Sequence, residues 1–98
     1  MGEERGVRMD EKLRRRLVLG SMEAELEYAL LSRETEIEGE SVLTYGISAK
    51  LLAGDSLIHA EIHDIAPDRE QICGLMRLIC EGAVPPENLM DIIEDFIA

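Results

Sequence analysis

The stretch His59-Ala60-Glu61-Ile62-His63 holds the residue types best suited to metal binding or acid–base chemistry. Alternate residues of a β-strand share a face, so the two imidazoles and the carboxylate would point the same way. Neighbours in the set would be about 7 Å apart and the two imidazoles about 13 Å apart. Metal–nitrogen bonds measure about 2 Å, so both His cannot bind one ion from a straight strand. One His with Glu61 could bind a metal if another strand supplied a third ligand; the alternative is a solvated sheet face.

Cys73 and Cys80 are seven residues apart in a predicted helix. Seven residues rise about 10.5 Å along a helix, beyond the Cα separation of about 7 Å that a disulfide allows. We therefore expect small buried residues that are not bonded to each other. Metal binding and an intermolecular bridge are the alternatives.

Carboxylates gather in two further places, on the last predicted helix and at the junction of sheet and helix. Paired carboxylates perform acid–base catalysis when burial or a neighbouring charge separates their pKa values. No pattern here indicates burial, so capping and solvation are expected. The sequence contains neither a nucleophile elbow around a serine nor a glycine-rich phosphate loop. The carboxylates concerned are Glu87, Asp91, Glu94 and Asp95 on the helix, and Asp64 and Asp68 at the junction.

Hydrophobic periodicity predicts the elements that position these residues. A period of two favours strands near 23–33, 42–52 and 56–64, and a period of 3.6 favours helices near 68–81 and 86–97. Residues 34–40 are predicted to be a polar connection, and Gly82 a left-handed helix stop. Short links between strands favour a meander. The predicted fold class is therefore α+β: a three-stranded antiparallel β-meander with one face covered by two C-terminal helices (βββαα).

The predicted core is aliphatic, because the chain has no Trp and a single Phe. Ser48 is assigned to the outer face of the sheet, away from the helices. The residues predicted to be buried together are Tyr45, Ile47, Ile58, Ile62, Ile72, Leu75, Met76, Ile79, Leu89, Ile92, Ile93 and Phe96.

Charge divides the 98-residue chain into two unequal parts. Residues 1–16 hold six bases and four acids, whereas the remainder holds four bases and seventeen acids. We interpret residues 1–20 as a basic, partly flexible N-terminal arm, with helix and extended chain both open for 12–20, and residues 21–98 as a single α+β domain. Arg14-Arg15-Arg16 could contact nucleic acid or anionic lipid, but the acidic body would repel both.

The same composition narrows the cellular setting. No apolar run approaches the roughly 20 residues of a membrane helix, and the first residues lack the apolar stretch of a secretory signal. Two Cys are too few for a disulfide framework. We expect a cytoplasmic protein without nucleic-acid or membrane partners.

Several motifs in this order resemble a known family. Thr44-Tyr45-Gly46-Ile47 lies in a strand, Asp68-Arg69-Glu70 opens a helix, and the last helix reads Asp91-Ile92-Ile93-Glu94-Asp95-Phe96. Over roughly residues 24–98 the chain resembles an uncharacterised family of short acidic proteins from anaerobic Gram-positive bacteria, catalogued as a domain of unknown function. The resemblance implies no activity and no site residues.

Two hypotheses about function follow. The first is a small non-enzymatic protein-interaction or regulatory module, with no cofactor, that forms a homodimer or binds a protein partner through a sheet edge or the helix layer. The second is a small metal- or ligand-dependent enzyme that uses the sheet face of His59, Glu61 and His63. The absence of a reactive constellation favours the first.

Overall fold

A computed structural model describes residues 7–97 of the chain. Residues 1–6, which belong to the predicted N-terminal arm, and Ala98 lie outside the described part. Four long strands come first and the helices follow. The elements are β1 (Arg8–Leu19), β2 (Met22–Ile37), β3 (Glu40–Ala53), β4 (Ser56–Ala66), α1 (Arg69–Glu81), a 3-10 turn (Pro86–Asn88) and α2 (Leu89–Ile97).

The four strands form one antiparallel sheet in the order β1-β2-β3-β4. Two-residue turns join them, and each turn contains a residue of positive φ: Gly20, the pair Glu38 and Gly39, and Gly54. Such turns match the right-handed twist of the strands that they connect. The α+β class, the antiparallel meander and the two C-terminal helices agree with the sequence prediction.

The prediction of three strands was wrong, because β1 adds a fourth at the edge of the sheet. It lies in the stretch for which helix and extended chain were both left open. The polar connection predicted at 34–40 was wrong as well: β2 and β3 stay paired as far as Ile37 and Glu40, and the turn is only Glu38-Gly39. Thr35 and Ile37 are β-branched, which favours extended backbone in this part of β2.

The helices cover one face of the sheet. Helix α1 lies against β2 and β3, while the 3-10 turn and α2 lie against β4. Asp68 caps α1 by accepting hydrogen bonds from the backbone N–H groups of Glu70 and Gln71, which satisfies two otherwise unpaired donors. Gly82 has a right-handed φ of −83°, contrary to prediction, and Ala83 takes the positive φ instead.

The core forms between the helices and the inner face of the sheet. Most of the predicted core residues are buried there, together with Leu26, Tyr28 and Leu30 of β2. Ile62 and Ile92 are only partly buried. Ile58 and Phe96 contradict the prediction, at 43% and 36% exposed. Ile58 lies on edge strand β4, which has a neighbouring strand on one side, and Phe96 lies in the last turn of α2.

Candidate functional site

The face of the sheet opposite the helices, called the open face here, carries rows of charged side chains. In one row Arg14 Nε lies 3.3 Å from Glu27 Oε2, and Lys50 Nζ lies 3.9 Å from Glu27 Oε1. His59 occupies the next position, opposite Lys50. The bases of β1 therefore face acids of β2 across the strand pair, which neutralises part of the charge imbalance between the two ends of the chain.

Part of the open face is covered by its own side chains. Ala29, Leu31 and Ser48 are 3%, 1% and 2% exposed. Ser48 lies on the face away from the helices, as predicted, but its side chain is buried there. Longer side chains on the neighbouring strands, such as Lys12 and Glu61, stand in the same row as Ser48 and Ala29.

The structure brings His59, Glu61 and His63 together on the open face of β4. Glu61 lies between the two imidazoles, with Oε2 3.2 Å from His59 Nε2 and Oε1 3.0 Å from His63 Nε2. All three side chains are roughly one-quarter to two-fifths exposed. The carboxylate can thus hold both rings in place by hydrogen bonds.

A metal bound by one of these His with Glu61 would need a third ligand from the neighbouring strand. The adjacent open-face positions of β3 are Lys50, opposite His59, and Ser48, opposite Glu61. A cation and a buried hydroxyl are poor ligands for a transition metal. Across residues 7–97, no three His, Cys, Asp or Glu side chains are grouped so that they could hold a metal ion.

Asp64 forms a second polar cluster, where β4 kinks. Its carboxylate accepts hydrogen bonds from both the Arg33 guanidinium and the Thr44 hydroxyl. Hydrogen bonding to Arg33 lowers the pKa of Asp64 to about 2. Asp64 has a φ of 56°, and Tyr45 pairs with Ala66 while Ile47 pairs with Ile62. Three residues of β4 therefore stand opposite Gly46, and the cluster holds this bulge in place.

The two edges of the sheet differ in the side chains that protect them. Edge strand β1 carries Lys12, Arg14 and Arg16 on its open face, all exposed. Edge strand β4 has no Lys or Arg, and its Leu57 and Ile58 are 60% and 43% exposed. Strand β1 also exposes Met9 and Val18, but on a strand that carries these bases. Charged side chains on an edge discourage pairing with another chain, whereas apolar ones permit it. The β4 edge is therefore the better candidate for a binding surface.

Exposed apolar residues beside β4 enlarge this surface. Leu52 pairs with Leu57 across β3 and β4, and both line a shallow depression of about 240 Å³ with Glu25, Glu27 and Lys50. On the helix side of the sheet, α2 packs against β4 and leaves Phe96 and Ile97 36% and 59% exposed. The β4 edge thus has apolar surface on both sides of its backbone.

The remaining predicted candidates are dispersed. Cys73 and Cys80 are both free, as expected, with Cys73 buried and Cys80 partly buried on α1. Asp68 caps α1, whereas Asp64 binds Arg33 and Thr44, so the two carboxylates have separate partners. Of the three consecutive arginines, Arg14 pairs with Glu27, while Arg15 Nη1 reaches the carbonyl oxygens of Cys80 and Glu81.

Sequence reasoning missed the Arg33–Asp64 pair and the contacts of β1 with α1. Arg33 and Asp64 are 31 residues apart, so no local spacing connects them. The detectable signal was the single Gly46 inside an alternating strand, because an isolated glycine there often marks a bulge or a close backbone approach.

A four-stranded antiparallel meander with two C-terminal helices on one face defines an α+β protein of the two-layer class. Residues 11–98 match the model of a family of unknown function, DUF6514, and the chain belongs to that family. The match includes most of β1, which the resemblance seen in the sequence had left outside. Neither the curated proteins nor the solved structures contain a match to the chain. No helix within residues 7–97 is long and apolar enough to cross a membrane.

Proposed function

We propose that this chain is a non-enzymatic protein-interaction module that takes up a further β-strand along the free edge of β4. The observation that carries the proposal is the exposure of Leu57 and Ile58 on that edge strand. An edge strand presents backbone N–H and C=O groups that an incoming strand can pair with, and adjacent apolar side chains add affinity. The opposite edge strand, β1, carries exposed bases that disfavour pairing, and it serves as the internal control for the β4 edge.

Composition supports the setting of this proposal. A net charge of −11 disfavours nucleic acid and anionic lipid as partners. Two free cysteines suit a reducing compartment, so we place the module in the cytoplasm, acting without a cofactor.

The test blocks each edge in turn with proline. Antiparallel pairs alternate between hydrogen-bonded and non-bonded, and the two-residue turns close on bonded pairs. By that alternation the N–H groups of His59 in β4 and Arg16 in β1 point away from the sheet. His59→Pro then blocks the β4 edge and Arg16→Pro blocks the β1 edge, each leaving its ladder to the neighbouring strand intact.

Native mass spectrometry of complexes retained by the tagged chain supplies the readout. Complexes that disappear in His59→Pro and persist in Arg16→Pro support the proposal. Complexes that persist in both variants would place the binding surface elsewhere. Circular dichroism of both variants checks that each remains folded.

The alternative function, a small metal- or ligand-dependent enzyme, draws on one observation: Glu61 contacts both His59 and His63. Metal analysis of the same samples separates the two functions. A stoichiometric metal that is lost in His59→Ala, in a chain that retains no complex, would favour the enzyme.

A further inference from the structure

The extended part of β4 is bounded at both ends. The turn Gly54-Asp55 precedes Ser56, and the positive φ of Asp64 ends the regular strand after His63. In the part of the chain that the structure describes, β4 pairs with β3 alone. An incoming strand therefore has the eight residues 56–63 as a regular edge to pair with, which is within the usual length of a strand.

The partner that this edge fits is argued from its register. Two copies related by a two-fold axis would pair β4 with β4 in antiparallel orientation. To use the whole regular edge, the axis must pass near its middle, at His59 or Ala60. A pairing centred on Ala60 places His59 opposite Glu61 of the second copy, and Glu61 opposite the second copy's His59.

Alternative registers are worse for physical reasons. Centring on Glu61 sets two carboxylates directly opposite each other, which is destabilising. Centring on His59 sets two imidazoles together and leaves Glu61 opposite Leu57. Among the registers that use most of the regular edge, only the pairing about Ala60 joins an acid to a base on both sides of the axis, with a small residue at the axis itself.

The same register also brings apolar side chains together on the helix side of the sheet. Ile58, 43% exposed, would lie opposite the partly buried Ile62 of the second copy. A two-fold axis perpendicular to the sheet keeps the helices of both copies on one side. Helix α2, which packs on β4, would then lie along the seam with its exposed Phe96 and Ile97 near the second copy.

We infer that the occupant of the β4 edge is a second copy of this chain, joined through an antiparallel β4–β4 pairing centred on Ala60 to form a continuous eight-stranded sheet. The inference rests on the proposed function and names the partner of the same edge. Glu61 can accept this extra hydrogen bond, because a carboxylate accepts about four, and His59 donates to both carboxylates in its imidazolium form, in which each ring nitrogen carries a proton.

Disulfide trapping tests the register. Opposite residues of a non-bonded antiparallel pair have Cα atoms about 4.5 Å apart, within disulfide range. Ala60→Cys should therefore form a covalent dimer under mild oxidation. Leu57→Cys should do so at least about tenfold more slowly. Residue 57 would stand opposite residue 63 of the second copy, and the two residues 57 would be about 20 Å apart. Leu57 is the more exposed of the two, so random collision predicts the reverse order.

The wild-type chain, which carries Cys73 and Cys80, sets the background on the non-reducing gel. Fastest trapping in His59→Cys would place the axis one residue away and overturn the register. Equal trapping at 57 and 60 would overturn the specific pairing altogether.

Charge reversal supplies a second test that does not rely on thiols. His59→Glu sets carboxylates against each other twice per dimer, and sedimentation equilibrium should show dimer affinity weakened by about tenfold or more. Adding Glu61→His restores opposite partners and should recover most of the affinity.

A chain that stays monomeric at 100 micromolar would overturn the inference. The proposed function would still stand if the same chain retained another protein that His59→Pro releases. The proposed function would also be overturned if no complex were lost in His59→Pro.

Discussion

Arg15 and Cys80 connect the first strand to the end of the first helix: Nη1 of Arg15 lies 3.1 Å from the carbonyl oxygen of Cys80. The same nitrogen donates to the carbonyl of Glu81. Helix α1 has no basic residue in its own last turn, so Arg15 supplies the cation that its carbonyl end favours. At the other end of α1, Arg69 Nη2 lies 2.9 Å from Glu11 Oε2, and this bond raises the pKa of Arg69. Strand β1 thus contacts α1 at both ends.

Arg15→Met should lower the free energy of unfolding by about 1 kcal/mol, because it removes the charge at the helix end and keeps an apolar stem. Urea titration at low salt measures the change. Arg16→Met, on the opposite face of the same strand, is the matched control and should be close to neutral. Equal losses in both variants would mean that the contact with α1 contributes nothing.

Gly46 is required by the close approach of β4. A Cβ at this position would lie 2.1 Å from the Ile62 carbonyl oxygen and 2.8 Å from the His63 Cα. Since both are backbone atoms, Gly46→Ala should cost about 2–4 kcal/mol. Gly74→Ala, in α1 with open space around it, should instead stabilise by about 0.5–1 kcal/mol. A tolerated Gly46→Ala would show that the bulge is not held as described.

Asp64 should make stability depend on pH at the acid end. Its folded pKa of about 2 lies below the unfolded value of about 3.9. Its contribution is therefore complete above about pH 4 and is lost as pH falls towards 2. The side chain is one-third exposed, so solvent screening keeps this contribution at or below about 1 kcal/mol.

Asp64→Asn isolates that contribution, since Asn also tolerates a positive φ. The difference in unfolding free energy between wild type and variant should be constant above pH 4.5 and shrink between pH 4 and 2. Glu36→Gln, at an exposed carboxylate on β2, is the control. A difference for Asp64→Asn that does not vary with pH would contradict the assignment.

Leu89 and Phe96 should differ sharply although both belong to α2. Leu89 is fully buried and Phe96 is 36% exposed. Leu89→Ala should cost about 2–5 kcal/mol, whereas Phe96→Ala should cost about 1 kcal/mol in the dilute monomer. If Phe96→Ala costs as much as Leu89→Ala, the end of α2 is packed more tightly than its exposure indicates.

Most of the fold was predictable from alternation and helical periodicity. The strands at 23–33, 42–52 and 56–64 and the helix at 68–81 are confirmed with small shifts of their ends, and 86–97 divides into a 3-10 turn and α2. Strand β1 was not predictable because its inward positions alternate between apolar and charged residues. Glu11 and Arg15 interrupt the apolar pattern of Leu13 and Leu17, since they bind the two ends of a helix that lies far along the chain.

The candidate site was partly predictable. Strand periodicity placed His59, Glu61 and His63 on one face, and the structure agrees. It could not show that Glu61 would contact both rings, because that depends on side-chain rotamers. It also could not show which strands are edges, since the missing β1 changed the neighbours of β2.

The attachment of β1 to α1 also orders the events of folding. Glu11 and Arg69 are 58 residues apart, and Arg15 and Glu81 are 66. A chain that grows from its N-terminus on the ribosome can form hairpins from β1 to β4 through two-residue turns before either helix exists. The inner face of that sheet then stays bare until the last third of the chain emerges. Closure of both helix ends onto β1 is therefore a late event, and a nascent chain stalled before α1 is the species most open to aggregation.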